Sequence, residues 1–158
     1  MKITLGNGKC ALVDKDDYEK VNQYQWHARQ KNRVWYAYRW LVLPNGKSKF
    51  IQMHRYIMNP SSKMEIDHIN HDGLDNRRDN LRTCTHRDNI RNQRIRYSKS
   101  NSPYKGVSWR EYCKSWRAYI TINGKTKHLG YFKDARNAAL TYDTEAKKHF
   151  GDFACCNF

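Results

Sequence analysis

Long apolar runs are missing from this sequence: no stretch approaches the ~18 consecutive apolar residues that a membrane-spanning helix needs. A helical membrane anchor is therefore not expected. The N-terminal segment MKITLGNGKCALVDKDD carries no apolar h-region, which argues against a secretory signal peptide. Cysteine is sparse and unpatterned. Cys10, Cys84, Cys113, Cys155 and Cys156 are odd in number and form no C-x-x-C pair, which argues against a disulfide framework and against structural zinc. Acidic residues are scarce too, 15 against 30 Lys and Arg in 158 residues. These absences together suggest a reduced, intracellular protein with a polyanionic partner.

What is present sharpens that view. Aromatics reach 13% although the mean hydropathy is −1.03, a combination that points to small cores rather than disorder. The length suits one compact domain or two small ones. The formal charge of +15 is not confined to a tail: residues 1–95 hold 18 basic and 10 acidic side chains, and residues 104–158 hold 10 and 5. Nucleic acid is the obvious partner, because phosphate neutralisation by Lys and Arg supplies most non-specific affinity. A soluble basic protein with solvated lysine faces is the alternative.

Residues 1–92 read as short strands and turns. Lys2–Leu5 and Lys9–Val13 flank the hairpin signal Gly6-Asn7-Gly8, and Asp14 is placed to cap a short helix through Val21. Val34, Tyr36, Tyr38, Trp40 and Val42 alternate along one strand, Pro44-Asn45-Gly46 turns into a second at 47–53, and His54–Met58 starts a helical turn that Asn59-Pro60 stops. Residues 93–103 are polar and basic and read as a linker. Within 104–158, three short strands (104–110, 115–122, 125–131) precede a helix from Asp134 to Phe150 whose inward stripe is Ala135, Ala138, Ala139, Tyr142 and Ala146.

The chemistry concentrates in residues 66–93, IDHINHDGLDNRRDNLRTCTHRDNIRNQ. A strand at 64–66 delivers Asp67-His68, a polar loop ends at Asn80, and a second strand runs over 81–84. Thr85, with Asp88 three residues on, then opens a helix carrying Asn89 on its first turn. A carboxylate, an imidazole and an amide oxygen gathered this way suit phosphodiester hydrolysis. Asp67 and Asn89 would offer oxygens to one hard divalent ion, Mg²⁺ or Mn²⁺. His68, with an ordinary pKa of roughly 6.5, would serve as general base.

This segment resembles the H-N-H (ββα-metal) nuclease motif of phage and intron-associated homing endonucleases. His68 matches the first histidine, Asn80 the central asparagine 12 positions later, and Asn89 the third position nine further on, with Asp67 as the preceding acid. The resemblance implies Asp67 and Asn89 as metal ligands, His68 as base, and Asn80 as the residue that holds the loop orienting His68. Arg55 is a candidate phosphate contact beside His54, itself a packed histidine on the other reading. Arg77, Arg78, Arg87, Arg91 and Arg94 flank the site; clamping phosphate or plain solvated charge are their two readings. His71 and His86 read as solvated.

YKGVSW (104–109), WRAYI (116–120), HLGYF (128–132) and AALTYD (138–143) look like the plant apetala/ethylene-response-factor DNA-binding domain. That resemblance implies a three-stranded sheet in the major groove of double-stranded DNA, with Lys105, Ser108, Arg110, Arg117, Tyr119, Thr121, Thr126 and His128 facing it. The fold expected is α+β: an N-terminal strand-rich region leading into the nuclease motif, then a three-stranded antiparallel sheet on one helix. The expected function is a metal-dependent homing-type endonuclease, encoded by a phage or mobile element and working in bacterial cytoplasm. One motif gives one active centre, so a monomer nicks one strand per visit, and cutting both strands takes a dimer or two visits. A DNA-binding regulator with a vestigial motif is the competing expectation.

Overall fold

The computed structural model describes residues 1–94 and 101–158; residues 95–100 of the expected linker lie outside the described residues. Mixed α/β structure with small antiparallel sheets divides into two compact units, Met1–Asn89 and Ile90–Phe158.

In the first unit, β1 (Lys2–Thr4) and β2 (Cys10–Leu12) pair antiparallel, and their alternation sends Ile3 and Ala11 inward. Helix α1 (Lys15–Asn22) follows, with Val21 and Asp17 buried. Asp14 stands before it but does not cap it; its carboxylate accepts the backbone N–H of Arg78 at 2.7 Å instead. Strands β3 (His27–Lys31), β4 (Val34–Val42) and β5 (Ser48–Gln52) form an antiparallel meander. The first of these goes beyond the sequence expectation, because HARQK shows no apolar alternation. Its turn is built by Asn32 and Arg33 at φ 51° and 69°, a left-handed pair usually advertised by glycine.

The same meander settles which side of β4 is core. Ala28 pairs with Ala37 on the buried face, while Tyr36, Tyr38 and Trp40 lie on the other. The core holds Trp26, Met53, Val13, Val21, Leu5 and Ile57, with Ile66 and Leu81. Helix α2 (Met53–Met58) ends where Asn59 turns left-handed, just ahead of Pro60. Strands β6 (Glu65–His68) and β7 (Leu81–Cys84) pair antiparallel, and helix α3 (His86–Asn92) leaves β7. Thr85 exchanges hydrogen bonds with Asp88 at the helix start, the Thr85 hydroxyl reaching the carboxylate at 2.6 Å.

In the second unit, β8 (Val107–Arg110), β9 (Ser115–Ile122) and β10 (Lys125–Phe132) form an antiparallel sheet in the order β10-β9-β8. Residues 104–106, read as the start of a strand, are a turn instead. Helix α4 (Ala135–Phe150) is capped by Asp134, which accepts the Asn137 N–H at 3.1 Å. Its Ala138, Ala139 and Ala146 are fully buried and pack against Val107, Ala118 and Ile120, since methyl-sized side chains let the helix approach the sheet closely. Asp143, also buried, takes backbone N–H groups from Asn157 and Phe158 at 2.8–3.0 Å, and Asn157 bonds back to Lys105, tying the last residues to the start of the sheet.

Gly106 has φ 73°, and a Cβ there would stand 2.0 Å from the Tyr142 ring and 2.7 Å from the Tyr119 carbonyl. Gly106→Ala should therefore destabilise the second unit by roughly 2–4 kcal/mol, through clash and left-handed strain together. Thermal melting of the variant checks this; an unchanged midpoint would contradict it.

Candidate active site

Alternation along β6 puts Glu65 and Asp67 on one face and Ile66 and His68 on the other. Asp67 is buried beside β7, where its Oδ2 accepts Nε and Nη2 of Arg82 at 2.9 and 2.7 Å. Glu65 bonds to two residues of α3: Asn89 Nδ2 donates to Oε2 at 2.6 Å, and His86 Nδ1 lies 2.8 Å from Oε1. These bonds, that from Asn89 foremost, hold the Glu65 carboxyl below its usual range. They also fix the Asn89 amide with its nitrogen on Glu65, beside the strand that carries Asp67. His86 is otherwise exposed, as expected.

His68 is buried in an aromatic wall. Its ring centre lies 4.9 Å from that of His54 and 5.8 Å from Tyr36, both edge-on. Burial lowers its pKa, against the smaller upward pull of Asn76 and nearby carboxylates, so the imidazole is neutral at pH 7. Asn76 Oδ1 lies 3.5 Å from Nε2. His54 is the packed histidine: burial first, then His68 and Arg55, drive its pKa down to about 3.

The loop 69–80 is tied down from inside. Asn80 is buried; its Nδ2 donates to the Asp75 carbonyl at 2.8 Å and its Oδ1 accepts the Asn70 N–H at 3.0 Å. Buried Asp75 gathers Arg77 Nε and Nη2 at 2.8 and 2.7 Å and Asn70 Nδ2 at 2.9 Å. Asn76 hangs the loop on β2 through its N–H to the Leu12 carbonyl at 2.8 Å. Gly73 passes so near β4 that a Cβ would stand 2.4 Å from the Trp35 carbonyl and 2.6 Å from Tyr36. The loop thus brackets the wall around His68.

Several side chains expected on DNA also serve as structural ties. Arg77 is committed to Asp75, and Arg78 pairs with buried Asp17 through two bonds of 2.7 and 2.8 Å. Their guanidiniums serve carboxylates that would otherwise be buried uncompensated. Arg55 donates to the Met64 carbonyl at 3.0 Å, joining α2 to the approach to β6. Lys105 does not face outward: its Nζ donates to the carbonyls of Arg91 and Gln93 at 2.6 and 2.8 Å, closing the end of α3, and burial lowers its pKa. Arg91 lies over the Phe150 ring at 4.7 Å. Arg87 and Arg94 are exposed. In the C-terminal sheet, Ser108, Arg110, Arg117, Tyr119, Thr121, Thr126 and His128 share the face opposite α4. Arg117 stacks on Tyr119 at 5.2 Å, and Thr121 and Thr126 meet at 3.2 Å.

Sequence reading missed Glu65, Asp75, Asn76, Arg82 and Tyr36. Period-two alternation was the available signal for Glu65, two residues before Asp67. Asp75, Asn76 and Arg82 lie inside the 66–93 segment but only the fold shows their partners, and Tyr36 comes from a distant strand. The donor chemistry of Asp67, Asn89 and Glu65 is all hard oxygen and fits a divalent ion such as Mg²⁺. No three His, Cys, Asp or Glu side chains converge as a metal site among the described residues, so a cation here depends on the amide oxygen of Asn89 and shares Asp67 with Arg82.

Stability should report the buried histidines. Their folded pKa values lie below the unfolded value near 6.5, so between about 6.5 and 5 the unfolded chain binds more protons and stability falls as pH falls. Comparing melting midpoints across that window with a His54→Phe variant tests it: the wild type should lose more. Equal slopes would contradict the assignment.

Residues 59–91 match the family model described as HNH endonuclease. The chain is also 28% identical, over 96% of its length and 76% of the relative's, to a protein of Acanthamoeba polyphaga mimivirus named as an uncharacterized HNH endonuclease. No helix among the described residues is long and apolar enough to cross a membrane.

Proposed function

We propose that this chain is a metal-dependent DNA endonuclease of homing type, hydrolysing one phosphodiester bond per visit with one Mg²⁺ or Mn²⁺ ion. One observation carries the reading: Asp67-His68 ends a strand whose Glu65 also anchors Asn89, inside the segment that matches the HNH model. Asp67 and Asn89 would hold the cation. Once bound, it would supply Lewis-acid stabilisation of charge on the phosphate. The acceptor at Asn76 favours the His68 tautomer with its proton on Nε2, and as general base the imidazole would take a proton from water through its unprotonated nitrogen. Tyr36 and His54 exclude solvent from the imidazole and keep it neutral. Asn80 holds the loop that brackets it. The outward sheet face of Arg110, Arg117 and Tyr119 supplies a second hold on duplex DNA.

Incubation of supercoiled plasmid with Mg²⁺, Mn²⁺ or EDTA tests this. Open-circular product is expected with either metal and none in EDTA, where the melting midpoint stays put because no structural zinc is invoked. Asp67→Ala and Asn89→Ala should each raise the metal concentration for half-maximal cutting by about tenfold or more. Binding without cutting by the wild type would return the regulator reading.

A further inference from the structure

Apart from Tyr36, the aromatic face of the N-terminal meander has no role in that scheme. Cross-strand register sets Arg29 beside Tyr36, Tyr38 beside Gln52, and Trp40 beside Phe50, all on the side away from the core. Tyr38 and Phe50 are stacked, with ring centres 4.3 Å apart and planes at 16°. Trp40 stands edge-on to Phe50 at 5.1 Å and is 56% exposed. A core would ordinarily claim such rings, yet the small pair Ala28 and Ala37 faces inward instead. Clustered exposed apolar area of this kind marks a contact surface.

Charge narrows the partner. Between Glu19 and Glu65 there is no acidic residue and there are nine Lys and Arg. Arg29 lies 5.6 Å over the Phe50 ring. A concavity of about 390 Å³ on this face is lined by Arg29, Lys31, Tyr36, Tyr38, Phe50 and Gln52: cations for phosphates, rings for bases, an amide for base edges. A second copy would bring +15 against +15. Paired bases within a duplex cannot lay their faces on a flat sheet, whereas unpaired ones can, and such stacking tolerates any base.

Position supplies the rest. Tyr36 belongs to this face, and its ring also touches His68, so the aromatic track begins at the candidate active centre. We propose that the outer face of the β3-β4-β5 sheet is a stacking platform for unpaired bases. The preferred substrate then carries a single-stranded or extruded segment beside the phosphate presented to His68. The proposal rests on the nuclease reading for that phosphate.

The test is equilibrium binding by the full chain in EDTA, where no cutting intervenes, at about 0.15 M salt. The probes are a fluorescein-labelled oligothymidylate of roughly 15 nucleotides, near the upper site size for such surfaces, and a blunt duplex of the same length. Trp40→Ala and Phe50→Ala should each weaken oligothymidylate binding by about tenfold or more, with a far smaller loss on the duplex. Trp40→Phe should keep the affinity and lose tryptophan quenching. Trp40 is exposed enough that its replacement leaves the fold intact, so that variant decides the matter even where Phe50→Ala misfolds. Unchanged single-strand affinity, or equal losses on both probes, would overturn the platform. So would a dimer in sedimentation that Trp40→Ala dissociates, which would give the face to a second copy. Plasmid cutting by the wild type reports separately on the nuclease reading, so either idea can fail alone.

Discussion

His68→Ala should lower plasmid cleavage by roughly 10²–10⁴-fold, the usual share of a general base, while duplex affinity stays close to wild type. The side chain is buried and uncharged at pH 7, so it contributes little to phosphate attraction. Its removal opens a space beside Tyr36 and His54, so some stability is lost as well. Circular dichroism at the assay temperature separates that loss from the catalytic one. The surviving activity should no longer fall below pH 6.5 as the wild type does once its lowered imidazole pKa is reached. Cleavage at the wild-type rate by a folded His68→Ala protein would remove His68 from the reaction.

Deleting residues 95–158 should weaken duplex binding most at physiological salt. The dependence of log K on log salt should become shallower by about 0.9 for each phosphate that the shortened chain no longer neutralises. The deleted part holds 12 basic and 5 acidic side chains, with Arg110 and Arg117 among the basic ones and Tyr119 on the same sheet face. The N-terminal core lies wholly within residues 3–81, so the remainder keeps its fold and should still nick DNA at low salt. Site preference should relax as well, the outcome expected of losing a face that reads base edges. Titration of both proteins on one duplex between about 50 and 200 mM salt reads this out. Identical slopes would make the C-terminal sheet something other than a DNA surface.

Local chemistry was the legible part of this protein. Gly6-Asn7-Gly8 marks a hairpin, Asn59-Pro60 ends a helix, and Thr85 and Asp88 open one, because each signal is decided within a few residues. Alternation also grouped Tyr36, Tyr38 and Trp40 on one side of β4. It could not say which side faced water, because that depends on what else competes for the core. Trp26, Met53 and the hairpin residues Ile3 and Ala11 fill it, and Ala28 and Ala37 supply the close-packed floor. Charge was equally opaque along the chain. Arg77, Arg78 and Lys105 look like free cations in the sequence, yet each is bound to a carboxylate or a carbonyl. Two of these partners, Asp17 and the carbonyl of Arg91, are remote in sequence. Composition determined that the surface would be basic and made a polyanionic partner the expectation. Only tertiary packing decided which cations are free to meet that partner, because burying Asp17 and Asp75 requires a cation beside each.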